Sequence, residues 1–466
     1  MRAAKYCNIR KWRASTPRTR IRETRNAEER YPDFFRNVRS HVCKENGLVK
    51  LNLLVVCQHY QPEPFNVSEA CEELVRRGYA VTVLTALPNY PSGIVDKSYK
   101  HGRHRDEYVE GVRVIRVPIV ARGKNLKGLN KLKRVLNYVS FPLASLVKQA
   151  CMNDRYDCVL VFQYSPVLMA IPGLKIAKKQ NIPCLIYCFD LWPEDMLTGG
   201  VNREGFSYRL MRFVSRTIYS SADALAVTSP KFESYLNEEL GIEEMQYSWL
   251  PQYAERQFEE MDLPDKRKLS ESSSRTTFTF AGNIGGNQSV ETIIKAAALL
   301  DPESEIVIRI VGSGSHLDAC RELASKLNVC NVEFHGFTPL EKMPALYSES
   351  DAMLLTLSRG QNGSLVSEYT IPRKLQSYLA AGKPIIAAAY GASSDIVSAG
   401  QCGITCLPDD EQALASALAE FASLKNEERF VMAKNARDLY VAQFSRERFF
   451  HNFESILKKT SRRRHG

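Results

Sequence analysis

Two long stretches of the chain alternate short apolar runs with segments of helical periodicity. The first stretch begins near Leu51 with the run LNLLVVCQ, continues with a helical segment from Val67 to Arg77 that Gly78 closes, and becomes apolar again in YAVTVLTA. It goes on through VRVIRVPI, DCVLVF, PCLIYCFD and ADALAVTS. Continuous apolar runs of strand length between helices are typical of a parallel sheet covered on both faces. The pattern predicts an α/β domain over residues 50–252.

A second stretch of the same kind follows a break in the pattern. Residues 253–275 contain Pro264, the run DKRK and several serines without periodicity, which is typical of a linker. The runs FTFAGN, EIVIRIV, NVEFHG, DAMLLTL and KPIIAAA then alternate with helical segments predicted at 289–300, 317–327 and 373–381. We therefore predict a second domain over 276–424. Two doubly wound Rossmann-like domains would face a cleft, with a ligand site between them at the carboxyl ends of the strands.

The remaining segments lie at the two ends of the chain. Residues 1–49 mix charges, Ser, Thr and Asn without a sustained period, so we expect a disordered extension or sequence upstream of the true start. Beyond the second domain we expect C-terminal helices over 425–460 and a basic tail over 461–466.

Charge and cysteine content exclude several classes of protein. The formal net charge is +11, but residues 1–50 carry 14 Lys and Arg against five Asp and Glu, and the tail is basic as well, which leaves a slightly acidic body. Such a body is not a nucleic-acid-binding domain by charge. The 12 cysteines include no Cys-x-x-Cys pair and no zinc spacing, so we expect reduced thiols in a cytoplasmic protein without a metal site. No window reaches the ~18 consecutive apolar residues of a membrane-spanning helix.

Two glycine turns are candidates for phosphate binding. The first, AGNIGG, lies between the strand FTF and a helix that begins near Ser289, where backbone amides and the positive end of the helix can meet an anion. The second contains Gly312 and Gly314 after EIVIRIV. The alternative is that both are tight turns that need glycine for a positive φ.

Arg373 and Lys374 are a third candidate. Pro372 fits the first position of a helix, so both cations fall in its first turn, which is unfavourable for the helix dipole unless an anion lies nearby. The alternative is a pair of solvated side chains.

Asp190 follows a buried strand in the segment CFDLWPED, at a sheet edge where α/β proteins place functional residues. Alternatively, it only caps a turn while Trp192 fills the core.

The segment RGKNLKGLNKLKR, residues 122–134, has six Lys and Arg and no acid, and a stretch rich in apolar residues follows it. This combination favours docking on anionic lipid headgroups over the alternative of a loop and an ordinary core helix. The cations assigned to this surface are Lys124, Lys127, Lys131, Lys133 and Arg134.

The motifs DLWPE, VTSPKF, AGNIG and IPRKLQSYLAAGKP, in this order, resemble glycosyltransferase family 4 of the GT-B fold, and its bacterial capsule and O-antigen branch in particular. The resemblance runs from about Leu51 to Lys458. It implies a retaining transferase that takes a sugar from a nucleotide-sugar, usually UDP-linked, and transfers it to a glycan on a polyprenyl diphosphate. It also implies an enzyme without a metal cofactor, and the absence of an Asp-x-Asp motif agrees with this. A polyprenyl-linked acceptor fits the basic and apolar segment 122–147, so we expect peripheral attachment to the inner face of the cytoplasmic membrane.

The sequence also departs from the family pattern. Many members carry an Arg just after the first glycine of the turn and a Lys five residues later, where this chain has Asn283 and Gln288. The second of two family glutamates is replaced by Ser377, and the first by Tyr369, with Glu368 one position away. The turn after the first strand has Pro64-Phe65-Asn66 instead of glycines. These differences predict a variant donor site.

We assign the donor site, on this resemblance, to the two glycine turns and the helix beyond Pro372. Arg373 and Lys374 would face the diphosphate, and Asp190 would be a general base or a substrate-orienting group. The donor-binding residues are Gly282, Asn283, Gly285, Gln288, Gly312, Gly314, Arg373, Lys374 and Ser377, and the catalytic residues are Asp190 and Lys374. A catalytically silent scaffold of a polysaccharide assembly complex and a sugar-nucleotide epimerase of the same fold remain alternatives.

Overall fold

The computed structural model of the chain describes residues 50–123, 129–263, 275–360 and 364–462. The predicted N-terminal extension, the centre of the predicted linker and the last four residues of the basic tail lie outside these ranges. Among the described helices, none has both the length and the apolar character that a membrane span requires.

The first sheet has eight strands in the order β3-β4-β2-β1-β5-β6-β7-β8. All neighbouring strands are parallel except β3 and β4, which are antiparallel. Its strands are β1 Asn52–Val56, β2 Ala80–Ala86, β3 Asp106–Val109, β4 Val112–Val117, β5 Cys158–Gln163, β6 Cys184–Cys188, β7 Ala224–Val227 and β8 Tyr247–Trp249.

The second sheet has six parallel strands in the order β11-β10-β9-β12-β13-β14. Its strands are β9 Thr276–Ala281, β10 Ile306–Val311, β11 Val332–Gly336, β12 Ala352–Thr356, β13 Ile385–Ala388 and β14 Gly403–Cys406. The order of both sheets confirms the prediction of two doubly wound domains.

Helices cover both faces of each sheet. In the first domain they are α1 Val67–Arg76, α2 Leu129–Gln149, α3 Ile171–Gln180, α4 Asp195–Thr198, α5 Phe206–Ser220 and α6 Lys231–Glu238, with 3-10 turns at Lys97–Tyr99 and Val167–Ala170. The rest are α7 Arg256–Glu259, α8 Val290–Leu299, α9 Leu317–Lys326, α10 Met343–Ser348, α11 Val366–Tyr369, α12 Arg373–Ala380, α13 Ala392–Ala399, α14 Glu411–Ser423, α15 Asn426–Leu439 and α16 Arg446–Arg462, with 3-10 turns at Gly286–Gln288 and Leu340–Lys342 and a π-helical turn at Tyr440–Phe444. The helices predicted at 289–300, 317–327 and 373–381 are therefore confirmed to within a residue or two.

The strands are continuously apolar because each side of the sheet has its own core. Leu54 and Val56 of β1 belong to one hydrophobic cluster, whereas Leu53 and Val55, which alternate with them, belong to the other. Successive side chains of a strand point to opposite faces, so a strand covered on both sides has no solvent-facing row of polar residues. Full burial of one such side chain contributes about 1.5–3 kcal/mol.

The last helix, α16, packs on the first domain although it follows the second in sequence. Phe449, Phe450 and Phe453 are buried in the same cluster as Leu53 of β1. The preceding turn is tied to the interdomain segment, since the Tyr440 hydroxyl accepts from the Ala254 amide at 3.0 Å and donates to Glu259 at 2.7 Å. The chain therefore crosses between the domains twice, which fixes the cleft between the two sheet edges.

In each sheet the connections reverse direction at the central strand. The chain moves from β1 to β2 on one side and later returns to β5 on the other, and β9 lies in the same way between β10 and β12. Crevices form at the carboxyl ends of strands at such switch points, and ligands bind there. A ligand site is therefore expected among the segments that follow β1, β5, β6, β9 and β10.

Candidate active site

The two glycine turns lie against each other at the carboxyl ends of β9 and β10. The Gly282 amide donates to the Val311 carbonyl at 3.0 Å, and the Ile284 amide donates to the Ser313 carbonyl at 2.9 Å. Gly282 and Gly312 have φ values of +151° and +147°, which side chains rarely adopt. A methyl group on Gly312 would overlap the Gly282 carbonyl oxygen, and one on Gly314 would overlap that of Ile284. Close backbone approach thus explains these glycines, whether or not an anion binds there.

Lys374 is the cation that reaches these turns. Its side chain extends from the first turn of α12, and a methyl group built on Gly282 would lie 3.7 Å from the Nζ atom. The Nζ atom also lies 4.2 Å from the centroid of the Phe280 ring. Burial lowers the pKa of Lys374 to about 7, because removal from water disfavours the ammonium form. An anion bound at the turn would offset this cost.

Gln288 is the hydrogen-bond partner of Lys374, whose Nζ donates to the Gln288 Oε1 atom. The chain thus has a neutral side chain at the family's lysine position and brings its cation from α12 to the same place. Asn283, at the family's arginine position, is exposed beside Gly285.

Arg373 and Ser377 both contact Glu255 of the interdomain segment. The Arg373 Nη2 atom lies 3.1 Å from the Glu255 Oε1 atom, and the Ser377 hydroxyl donates to the Oε2 atom at 2.8 Å. Arg373 and Ser377 were predicted to bind the donor, whereas in the structure their direct partner is a carboxylate of the protein. Glu255 had no signal in the sequence, because it lies in a segment without periodicity.

Asp190 follows β6 and lies beside a second carboxyl group, that of Asp195. The Ser165 Oγ atom lies 2.8 Å from the Asp190 Oδ2 atom and 2.9 Å from the Asp195 Oδ2 atom. Burial raises the pKa of both carboxyl groups. Ser165 follows β5 at the same sheet edge, so the rule that selected Asp190 from the sequence would have selected it too.

A buried polar network lies behind Asp190, at the ends of β1 and β2, and was not predicted. The His59 Nδ1 atom lies 2.6 Å from the Glu63 Oε2 atom, and its Nε2 atom lies 3.1 Å from the Arg122 Nη2 atom. A guanidinium group only donates, so the His59 Nε2 atom accepts and the Nδ1–H group donates to Glu63. The other Glu63 oxygen accepts the amides of Asn89 and Tyr90, at 2.6 and 2.7 Å. This network holds a fixed array of polar groups on the first domain's side of the cleft.

Glu194 connects the two domains directly. It is fully buried, yet it accepts hydrogen bonds from the Tyr208 hydroxyl at 3.0 Å and the Tyr235 hydroxyl at 3.2 Å, and it pairs with Arg203. Its Oε1 atom also accepts the Leu365 amide of the second domain at 2.8 Å. A second link joins Lys231 to Asp395, 2.9 Å apart. The described contacts thus hold the domains together along the cleft.

Part of the predicted basic cluster lies on α2. Lys133 and Arg134 are exposed on α2, and Lys131 lies on the same helix. Lys124 and Lys127 lie outside the described residues. Among the described residues, no three His, Cys, Asp or Glu side chains are arranged to hold a metal ion.

Comparison with known families decides what class of enzyme this site belongs to. The family described as "Glycosyl transferase 4-like domain" matches residues 66–251, and the family "Glycosyl transferases group 1" matches residues 263–439. The chain is a family 4-like glycosyltransferase. The first range covers the first sheet except β1, and the second range covers the whole second sheet.

Curated relatives of this glycosyltransferase include two bacterial proteins. One is named for colanic acid biosynthesis, the glycosyl transferase WcaI of Escherichia coli, and is 25% identical over 353 residues, which are 71% of this chain and 82% of WcaI. The other is the glycosyltransferase WbjE of Pseudomonas aeruginosa, 28% identical over 267 residues, which are 55% of this chain and 64% of WbjE.

Solved structures share the GT-B fold of this glycosyltransferase. The sucrose-phosphate synthase of Thermosynechococcus elongatus superposes with a TM-score of 0.65 at 19% identity, over 88% of this chain and 99% of that one. HepE of Anabaena, solved in complex with UDP, superposes with a TM-score of 0.63 at 15% identity, over 88% and 99% of the two chains. Identities this low show the fold alone.

The packing of the two turns predicts the effect of a single methyl group. Gly312→Ala should destabilise the protein by more than the ~1–3 kcal/mol of a strained backbone, because the methyl group would also push the Gly282 turn away. Thermal unfolding measures the loss of stability. Gly336→Ala is the matched control, since Gly336 has a φ of +67° but nothing within 4 Å of its added methyl group. Equal losses in the two variants would show that contact between the turns is unimportant.

Proposed function

We propose that this glycosyltransferase transfers a sugar from a nucleotide-sugar, UDP-linked, to a lipid-linked glycan acceptor with retention at the anomeric carbon, in the synthesis of a surface polysaccharide such as capsule or O-antigen. The donor would bind to the second domain and the acceptor to the first. The site would work with no metal cofactor. The observation that carries the proposal is the position of the Lys374 amine beside the Gly282 turn.

The chemistry of the leaving group explains why a cation is needed at that position. Departure of a nucleoside diphosphate builds negative charge on the phosphate oxygens, and groups already aimed at that charge stabilise the transition state. Lys374 would meet this charge directly, together with the amides of the two glycine turns. Arg373 would act at longer range, because Glu255 already pairs with its guanidinium group. Asp190 would orient the acceptor hydroxyl or accept its proton.

The similar proteins support the substrate classes. WcaI is named for colanic acid biosynthesis, and HepE has been solved with UDP and with UDP-glucose. WaaG, which superposes with a TM-score of 0.57, is described as a glycosyltransferase involved in lipopolysaccharide biosynthesis. A UDP-sugar donor and a role in polysaccharide synthesis agree with these names, and the lipid-linked acceptor is our proposal.

A transfer assay with purified protein tests the proposal. UDP-sugars labelled in the sugar are incubated with membrane lipid from a polysaccharide-producing strain, and the label in the lipid fraction is measured. The proposal predicts labelled lipid and one UDP released per sugar transferred. Binding of UDP-sugar without turnover would favour the silent scaffold, and free epimerised sugar or UDP-sugar without lipid acceptor would favour the epimerase.

The proposed acceptor requires contact with a membrane surface, and α2 offers one. One face of this helix is apolar and exposed, although its opposite face, with Phe141, is buried in the core. The exposed apolar residues recur at helical spacing: Leu132, Val135, Leu136, Val139, Leu143 and Val147. With Lys133 and Arg134 beside them, they form an amphipathic surface suited to anionic headgroups.

A second helix, α5, also exposes an apolar stripe, and this stripe was not predicted. Phe206 and Phe213 are 81% and 69% exposed and lie on one stripe with Leu210, while Arg209, Arg212 and Arg216 form the neighbouring stripe. Residues 206–220 contain no acid. Both helices pack on the same core cluster, through Tyr138 of α2 and Met211 of α5, so they lie on the same side of the first sheet. We infer that the membrane contacts both.

Liposome binding should separate the charged and the apolar contributions. Lys133→Ser with Arg134→Ser should weaken binding to anionic vesicles by about tenfold or more, because each cation near such a surface contributes about 1 kcal/mol. Added salt should weaken the wild type in the same direction, since surface charges are screened within ~8 Å at physiological ionic strength. Equal binding to neutral and anionic vesicles would contradict the electrostatic contribution.

The contribution of α5 has its own variant and control. Phe206→Ser with Phe213→Ser should reduce the amount bound at every salt concentration, because burial of apolar area does not depend on salt. Phe337→Ser is the control: Phe337 is 75% exposed but belongs to the second domain. If Phe337→Ser reduced the bound amount as much as the double variant does, nonspecific hydrophobic adsorption rather than docking through α5 would explain the binding.

A further inference from the structure

The Ser165 hydroxyl has three polar neighbours but only one proton to donate. The Trp192 Nε1–H group donates to its oxygen at 2.9 Å, which uses one of the two acceptor sites. The Asp190 Oδ2 atom lies 2.8 Å away and the Asp195 Oδ2 atom 2.9 Å away. The hydroxyl can donate to only one of these carboxyl groups. The other contact is a hydrogen bond only if that carboxyl group carries a proton and donates it to Ser165.

We propose that Asp195 is a positioning residue that holds this proton, so that the pair Asp190–Asp195 carries one proton and one negative charge at neutral pH. The Asp195 Oδ2–H group donates to the Ser165 Oγ atom, and the Ser165 O–H group donates to the Asp190 Oδ2 atom. Asp190 is then ionised and fixed in orientation. That Asp190 acts on the acceptor hydroxyl rests on the proposed function, whereas the proton on Asp195 does not.

The surroundings favour Asp195 as the protonated partner. Both carboxyl groups are removed from water, and each ionised carboxylate opposes ionisation of the other. Asp195 is additionally opposed by the carboxylate of Glu194, its neighbour in the chain. The other titratable groups that face the pair are His59 beyond β1, on the side of Asp190, and Tyr219 of α5 and Tyr164 beyond β5. Asp195 has two carboxylate neighbours, Asp190 and Glu194, whereas Asp190 has one, Asp195, so Asp195 is the weaker acid of the pair.

The arrangement gives Asp190 a defined charge state. Two ionised carboxylates facing one hydroxyl would repel each other, and one of them would receive no hydrogen bond from Ser165, whereas a second proton on the pair is not needed for any of the contacts. One shared proton satisfies every hydrogen-bonding group around the Ser165 oxygen: Trp192 and Asp195 donate to it, and it donates to Asp190. With one proton on the pair, Asp190 is ionised although it is buried.

The stability of the full-length chain as a function of pH tests the proton directly. An Asp with a raised pKa must take up a proton on folding wherever the unfolded Asp is ionised, so its cost grows as pH rises above the unfolded value of about 3.9. Asparagine is neutral in both states and can donate the same hydrogen bond to Ser165. Asp195→Asn should therefore match the wild-type Tm at pH 4 and exceed it at pH 8 by about 3 °C or more.

The control and the second readout keep the test independent of sugar transfer. Asp318→Asn changes a side chain that is 94% exposed, so its Tm difference from wild type should not grow with pH. Infrared difference spectra of the wild type between neutral and alkaline pH should show the band of a protonated carboxyl group disappearing, and Asp195→Asn should lack that band. An Asp195→Asn variant that is destabilised equally at pH 4 and pH 8, or a wild type without the band, would overturn the proposal even if sugar transfer were proven.

Discussion

Replacement of Lys374 with alanine should lower kcat/KM for sugar transfer by about ten- to a hundredfold, since charge-assisted contacts contribute roughly 1.5–3 kcal/mol and 1.4 kcal/mol corresponds to a factor of ten. The reason is that Lys374 supplies the charge at the Gly282 turn, where Asn283 and Gln288 are neutral. Steady-state rates with a UDP-sugar donor measure the effect.

The same variant should keep its fold. Burial lowers the pKa of Lys374 to about 7, which means that the buried ammonium ion destabilises the folded protein when no anion is bound. The cost is greatest below pH 7, where the folded protein must hold the ammonium ion, and it disappears as pH rises towards the unfolded value of about 10.4. Lys374→Ala should therefore be as stable as wild type or more stable at neutral pH. Lys295→Ala, which changes an exposed lysine on α8, is the control that should leave the rate unaltered. An unaltered rate in Lys374→Ala would mean that another residue supplies the catalytic cation, and Arg373 would be the first candidate.

Removal of the Glu194 carboxylate should cost the protein about 3 kcal/mol or more of stability, because hydrogen bonds to charged groups contribute about 1.5–3 kcal/mol each. In Glu194→Ala the hydroxyls of Tyr208 and Tyr235 lose their acceptor inside the protein, and the Leu365 amide loses its partner across the cleft. Denaturation in urea measures the change.

Glu349→Ala is the matched control for this prediction. Glu349 pairs with Arg309 at 2.8 Å on the surface of the second domain, and exposed ion pairs of this kind contribute about 0–1 kcal/mol. A loss in Glu194→Ala no larger than in Glu349→Ala would mean that Glu194 is not the link that holds the domains together.

The fold followed from the sequence because its signals are local. The continuous apolar runs predicted the strands except β3, β8 and β14, which are short and lack such a run. Pro372 and Gly382 predicted the ends of α12 and hence the position of Lys374 in its first turn. Each of these signals acts within a few residues of where it occurs, so one sequence is enough to use it.

The parts that could not be predicted depend on contacts distant in sequence. The apolar face of α16, with Phe449 and Phe453, indicates burial but not that it crosses to the first domain. The pairing of Arg373 with Glu255 joins α12 to a segment without a pattern. The exposed stripe of α5 has the periodicity of a core helix, and only the structure shows that Phe206 and Phe213 face outward.

Calorimetric titration of UDP into the full-length protein at pH 6 and pH 8.5 tests the donor site most directly. Lys374 is protonated in the free protein at the lower pH and neutral at the higher one, since its pKa is about 7, so UDP should bind about tenfold or more weakly at pH 8.5. Lys374→Arg, whose guanidinium stays charged, should remove this pH dependence. Binding of UDP with equal affinity at both pH values by wild type and Lys374→Ala alike would contradict the assignment of the diphosphate to Lys374 and the Gly282 turn.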